Sequence, residues 1–123
     1  MNRPIKETEH LGDHIVVRLH GEIDLATSAD LADEVAEAVP GTAAGLILDL
    51  SDVQYFDSSG MRMLFEVVRR LEARRQTVAV AAPDQSPMRA LLKVASVHEA
   101  VPVHDTPADC LAALERGRGF VDG

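Results

Sequence analysis

Gly45-Leu46-Ile47-Leu48-Asp49-Leu50-Ser51-Asp52-Val53-Gln54-Tyr55-Phe56-Asp57-Ser58-Ser59-Gly60-Met61 is the stretch that decides how this chain folds. Its first six residues are short and almost continuously apolar, the pattern of a central strand covered on both faces. A polar corner follows, Ser51 to Ser59, and a helix then starts at once and runs to about Arg75. Along that helix Met61, Leu64, Phe65, Val68 and Leu71 make one apolar stripe. Arg62, Glu66, Arg69 and Arg70 lie outside it, and Glu66 with Arg70 has the spacing of an i,i+4 ion pair.

Strand and helix signals alternate on both sides of this unit. His14 to His20 is rich in β-branched residues and reads as a strand ended by Gly21, with Ile5 to Glu9 as an edge strand across a Gly12-Asp13 turn. Asp24 and Thr27 are candidate N-caps for one helix to about Val39, and Thr27 with Asp30 has capping-box spacing. Leu31, Val35 and Ala38 form its apolar face, and Pro40-Gly41 stops it. Downstream, Thr77 to Ala82 is a buried strand closed by Pro83, and Ser86 to about Ala95 is a short helix with Pro87 near its first position. Val101 to Val103 is a last short strand, and Pro107 to Arg116 a last helix. Strands separated by single helices call for parallel pairing and right-handed crossovers. The expectation is a single α/β domain over residues 1–116, a mixed four- to five-stranded sheet with about four helices, followed by a loose tail at 117–123.

Composition narrows the class of function. One domain fits 123 residues, and 46 % hydrophobic with 26 % charged residues is the balance of a globular chain. Twelve basic against twenty acidic residues leave a net charge of −8, a surface that repels phosphate backbones and anionic lipid heads. Nucleic acid and membrane are therefore not the expected partners, and aromatics at 3 % offer no stacking platform for bases. The first residues, Met1 to Glu9, lack the apolar core of a signal peptide, and no apolar run approaches the length of a membrane span. The single Cys110 has no disulfide partner, which fits a reducing cytoplasm, and it reads as a small buried residue of the last helix.

Most catalytic templates are absent. There is no Gly-x-x-x-x-Gly-Lys, no Gly-x-Gly-x-x-Gly opening a helix, and no Gly-x-Ser-x-Gly around Ser58 and Ser59. His10, His14, His20, His98 and His104 contain no His-x-x-x-His pair; His14 and His20 share a strand face, but ordinary imidazoles explain them better than a metal. Asp49 as a receiver-type phospho-acceptor would want an acidic pair after the first strand, and Leu19-His20-Gly21 supplies none. What remains is the helix start. Asp57 or Ser58 can cap it, placing Ser59 in the first turn, where amide donors and the helix dipole tolerate a phosphate. Asp-Ser-Ser-Gly is equally a good helix-entry sequence whose serines do nothing but cap.

Three segments in order resemble the STAS-domain anti-sigma factor antagonists of bacteria. They are Leu19-His20-Gly21-Glu22-Ile23-Asp24; Leu48-Asp49-Leu50-Ser51 leading through Phe56 to Asp57-Ser58-Ser59-Gly60-Met61; and Val101 to Leu114. The resemblance implies a regulatory switch that is not itself an enzyme and carries no cofactor, ATP being used by the partner kinase. It implies phosphorylation at Ser59 by an anti-sigma factor that is also a serine-protein kinase, and removal by a serine phosphatase. Unphosphorylated, such a protein docks on the anti-sigma factor and frees a sigma factor; phosphorylated, it lets go. Asp24, Asp57, Ser58, Gly60 and Met61 are then the partner-binding residues, in a cytoplasmic monomer or weak dimer. Ser58 is the rival phospho-acceptor. Two other functions stand beside this one: a non-phosphorylated STAS accessory subunit of a lipid or anion transporter, and a small hydrolase with a serine nucleophile, which would need a nearby base.

Overall fold

The apolar run beginning at Gly45 forms the middle strand of a five-stranded sheet in the computed structural model, which describes residues 3–122, with side chains as far as Arg116. β1 (Ile5–Leu11) and β2 (His14–Ile23) are an antiparallel hairpin whose turn uses Gly12 at φ +59°. β3 (Gly45–Phe56), β4 (Thr77–Ala81) and β5 (Val103–His104) follow in parallel, so the spatial order equals the chain order. The helices among the described residues are α1 (Leu25–Ser28), α2 (Leu31–Glu37), α3 (Ser58–Ala73), α4 (Pro87–Val94), α5 (Val97–Ala100) and α6 (Pro107–Asp122). Because the parallel strands add in one direction, right-handed crossovers place the connecting helices on one face. The helix that follows β5 is free to cover the other.

Side-chain alternation fills the two layers. Ile15, Val17, Leu19, Leu46, Leu48, Leu50, Val78 and Val80 point into the large core beneath α2, α3 and α4. Val16, Ile47, Ala79 and Ala81 point the other way, against Cys110 and Leu114 of α6. That double coverage explains the continuous apolar run, and each fully buried Leu contributes roughly 1.5–3 kcal/mol. Cys110 donates its Sγ–H to the Val80 carbonyl at 3.3 Å, and burial pushes the thiol up to about 11, so it is inert core. Buried Gln76 donates to the Pro40 and Ala43 carbonyls at 2.9 and 3.1 Å, fastening the loop into β3.

The α/β class, the edge hairpin, α4 and the mixed sheet agree with the sequence. Several details do not. β2 runs through Gly21, which takes φ +80°, to Ile23, and β3 runs six residues past Leu50 to Phe56. The expected helix from Asp24 to Val39 is two pieces, because Asp24 and Thr27 close a capping box around one turn that buries nothing. Asp30, at φ 65°, then redirects the chain so that Leu31, Val35 and Val39 reach the core. The expected Thr27–Asp30 box is therefore not the one formed. On α3 the buried stripe is Met63, Leu64, Val67, Val68 and Leu71; Phe65 is exposed and Met61 half-buried. Arg70 pairs with Asp33 across to α2 and Glu66 with Arg69, in place of Glu66 with Arg70. The last strand is Val103–His104, since Pro102 has no N–H and offers only its carbonyl, to Val80 at 2.9 Å. α6 carries the backbone past Arg116 to Asp122, and of the expected tail Gly123 and the side chains of 117–122 lie outside the described residues.

Gly45 is where β3 and β4 come closest. A Cβ there would lie 2.2 Å from both the backbone oxygen and Oγ1 of Thr77, and backbone cannot step aside. Gly45→Ala is expected to lose about 3 kcal/mol or more of stability in urea unfolding, with Gly41→Ala, which opens onto free space, unchanged as its control.

Candidate functional site

β4 pairs with β3 only as far as Asp49, so the ends of β2 and β3 project beyond the sheet as a two-stranded ribbon. Its register is irregular between Arg18 and His20 and between Gly21 and Glu22, and it closes with Ile23 opposite Phe56. The next residue on each strand is an aspartate, and each aspartate caps a helix. Asp57 N–H donates to the Ile23 carbonyl at 3.2 Å, holding the two caps side by side. At the start of α3, Asp57 Oδ1 accepts from the amides of Ser59 at 2.8 Å and Gly60 at 3.1 Å. At the start of α1, Thr27 N–H donates to Asp24 Oδ1 at 3.0 Å while Asp24 N–H donates to Thr27 Oγ1 at 2.9 Å. The Thr27 amide, then its hydroxyl, holds the Asp24 carboxyl below the ordinary aspartate range.

Each residue singled out in the sequence has a distinct position. Ser58 is exposed, Ser59 and Met61 are half-buried, and Asp24 and Asp57 are half-buried caps. Gly60 is buried for a steric reason: a Cβ would meet the Ile23 carbonyl oxygen at 2.8 Å and Phe56 Cγ at 2.9 Å. The amides expected to receive a phosphate at Ser59 and Gly60 are already occupied by the Asp57 carboxylate.

Two shallow grooves flank this helix start. One, of about 330 Å³ between α1, α2 and α3, is polar and includes Ser59, Arg62, Glu66 and Arg70 with Leu25 and Asp33. The other, of about 530 Å³ between α3 and α4, is mainly apolar and includes Tyr55, Ser58, Met61, Leu91 and Val94. Sequence reasoning missed this surface. Leu25, Tyr55 and Val94 are 76, 53 and 83 % exposed, the first in the groove that Ser59 lines and the other two in the groove that Ser58 and Met61 line. Single exposed apolar residues are ordinary, but three around one polar helix start make a surface fit for a partner. Tyr55 was hidden by the ribbon, whose bulges leave no period-two pattern to read.

The remaining candidates sit elsewhere. Asp49 is 2 % exposed and accepts from Arg18 Nε at 2.8 Å and from the Ser51 amide at 2.9 Å. Arg18 also pairs with Glu7, and Asp49 first, Glu7 second, raise its guanidinium above the ordinary range. Such a carboxylate is a structural anchor and not a phospho-acceptor. His14 Nε2 lies 3.2 Å from Thr77 Oγ1 at the start of β2, and His20 Nε2 donates to the Arg3 carbonyl at 2.7 Å near the strand's other end. Neither ring is placed as a base for Ser59. Among the described residues no three His, Cys, Asp or Glu side chains converge as metal ligands, and no helix is long and apolar enough to cross a membrane.

Comparison with known proteins agrees with this geometry. The STAS domain model matches residues 6–110. An anti-sigma F factor antagonist of Paenibacillus polymyxa is 27 % identical over 110 residues, covering 89 % of this chain and 93 % of that protein. An anti-sigma-F factor antagonist of Mycobacterium tuberculosis is 36 % identical over 67 residues, which span 52 % of this chain and 55 % of that one. The crystal structure of an anti-sigma factor antagonist from Mycobacterium paratuberculosis superposes with a TM-score of 0.75 at 25 % identity, over 89 % of this chain and 92 % of that chain.

The Gly60 contact and the two caps are open to direct measurement. Gly60→Ala is expected to lower stability by about 1–3 kcal/mol in chemical unfolding, and Asp57→Ala by about 1 kcal/mol. An Asp24 carboxyl held below its unfolded value stabilises the fold above about pH 4 and loses that contribution as pH falls through the folded value. In an NMR titration the Thr27 amide should therefore report a midpoint below about 3.9, and Asp24→Asn should abolish that titration.

Proposed function

The chain belongs to the STAS-domain family, and on that premise we propose that it is an anti-sigma factor antagonist controlled by phosphorylation of Ser59. The unphosphorylated protein binds an anti-sigma factor that is also a serine kinase, and so frees a sigma factor. The phosphorylated protein releases it, and a serine phosphatase restores binding. ATP belongs to the kinase, and this chain performs no catalysis in the cycle, which runs in the cytoplasm.

The observation that carries the reading is the placement of half-buried Ser59 in one groove with exposed Leu25, at a helix start whose other groove exposes Tyr55 and Val94. A partner covering these apolar groups must exclude water from Ser59 as well. A phosphoryl group there adds nearly two negative charges beside the caps Asp57 and Asp24, whose carboxylates already use the nearby amides. Burying those like charges together costs several kcal/mol unless the partner supplies a cation. A penalty of even 3 kcal/mol is more than a hundredfold in affinity. Asp24, Asp57, Ser58, Gly60 and Met61 act in this scheme with different tasks: Gly60 and the caps shape the surface, Ser58 and Met61 present it. Ser58, exposed on the rim of the apolar groove, is the rival acceptor, and Ser59 is preferred for its position immediately before Gly60 in the motif.

Ser59→Ala is expected to bind the anti-sigma factor in the presence of kinase and ATP as tightly as without them. Ser59→Asp should bind at least tenfold more weakly than wild type, both read by titration calorimetry. Unaltered affinity in both variants, or release of Ser59→Ala on incubation with ATP, would remove Ser59 from the switch.

A further inference from the structure

Ser59, Arg62, Met63, Glu66 and Arg70 share one face of α3, Arg62 standing three residues after Ser59, and all border the polar groove facing α1 and α2. Three of that groove's five charged side chains are in ion pairs. Arg70 is paired with Asp33, and Glu66 with Arg69. Arg62 is exposed and has no ion-pair partner among the described residues; the unmatched acid of the groove is Asp30, at the start of α2. The helix-start amides that ordinarily receive an anion are held by Asp57. A phosphoryl group on Ser59 would thus meet carboxylates at Asp57 and Asp24 and one uncommitted cation, one turn along the same face.

We propose that Arg62, which borders both grooves, is the internal counter-charge of a Ser59 phosphate, holding the phosphoryl group at the rim of the α2–α3 groove that Ser59 also lines. This rests on Ser59 as the phosphorylated residue and adds the means by which this chain accommodates the charge. Arg62 is a positioning residue: it takes no part in phosphoryl transfer and acts only on where the product group lies and how strongly it is ionised. A neighbouring guanidinium favours the dianion, whereas nearby carboxylates favour the monoanion. The informative quantity is therefore the difference that Arg62 makes. Asp33 and Arg70 form a competing pair, and high salt should weaken the Arg62 effect.

The test is a phosphorus NMR pH titration of protein carrying phosphoserine at position 59, introduced during translation, as wild type, Arg62→Gln and Arg62→Lys. Arg62→Gln is expected to raise the phosphate midpoint by about half a pH unit, with Arg62→Lys closer to wild type and the difference shrinking in 1 M salt. Identical midpoints in wild type and Arg62→Gln, with circular dichroism showing both folded, overturn the proposal. Failure of the Ser59 switch itself would appear separately, in the affinities of Ser59→Ala and Ser59→Asp, which contain no phosphate for Arg62 to meet.

Discussion

The site depends on how closely the start of α3 approaches the end of β2. Gly60 sits against the Ile23 carbonyl and the Phe56 ring with no room for a Cβ, and the Asp57 amide donates to the same carbonyl. These two contacts fasten a helix to a strand that is one place away in the sheet and more than thirty residues away in sequence. Everything functional about the helix start follows from this clamp. It sets Asp24 and Asp57 side by side, aims Ser59 at the groove shared with α1 and α2, and leaves Met61 on the rim of the other groove.

The clamp also decides how a charge at Ser59 is felt. A helix N-terminus normally welcomes an anion, but here the Asp57 carboxylate has already claimed the Ser59 and Gly60 amides. The fold is therefore complete without a phosphate, and gains little from one. That is a favourable condition for a reversible modification: the added group neither completes nor melts the helix start, so its effect falls on whatever covers the surface. A site with free amides would bind its own phosphate firmly and hide it from a partner.

Much of this was legible in the sequence, for identifiable reasons. Gly45 to Leu50 read as a doubly covered strand because Leu46, Leu48 and Leu50 face one layer and Ile47 the other. Asp57 and Pro87 marked helix starts through local chemistry that needs no tertiary partner. The failures are tertiary. Residues Ser51 to Phe56 are strand only because β2 continues beside them, and a bulged ribbon erases the alternation that would reveal it. The split at Asp30 reflects the need to turn Leu31 and Val35 into the core, which outweighs the continuous helical pattern from Asp24 to Val39. On α3 the stripe was displaced toward Met63 and Val67, since the clamp at Gly60 fixes the rotation of the helix and carries Met61 and Phe65 outward. The exposed Leu25, Tyr55 and Val94 could not be found at all, because exposure of an apolar residue belongs to the fold and not to its neighbours in sequence.

A switch of this kind needs no second conformation. Allosteric devices shift a population between two folds, and they require a bistable element whose states differ by a few kcal/mol. Here the backbone around Ser59 is pinned by the Gly60 contact, the Asp57 cap and the Asp24–Thr27 box, three constraints that a surface phosphate leaves in place. Under the proposal only the free energy of desolvation would change. In the proposed switch the apolar groups of Leu25, Tyr55 and Val94 would supply attraction that is constant, and a phosphate at Ser59 a penalty that comes and goes with one covalent bond. Rigidity would thus be part of the proposed control. Were the helix start free to swing, a phosphate could move out of the interface into water and the penalty would be lost to rearrangement. The close packing at Gly60 prevents that escape at the backbone, and what freedom remains lies in the Ser59 side chain alone.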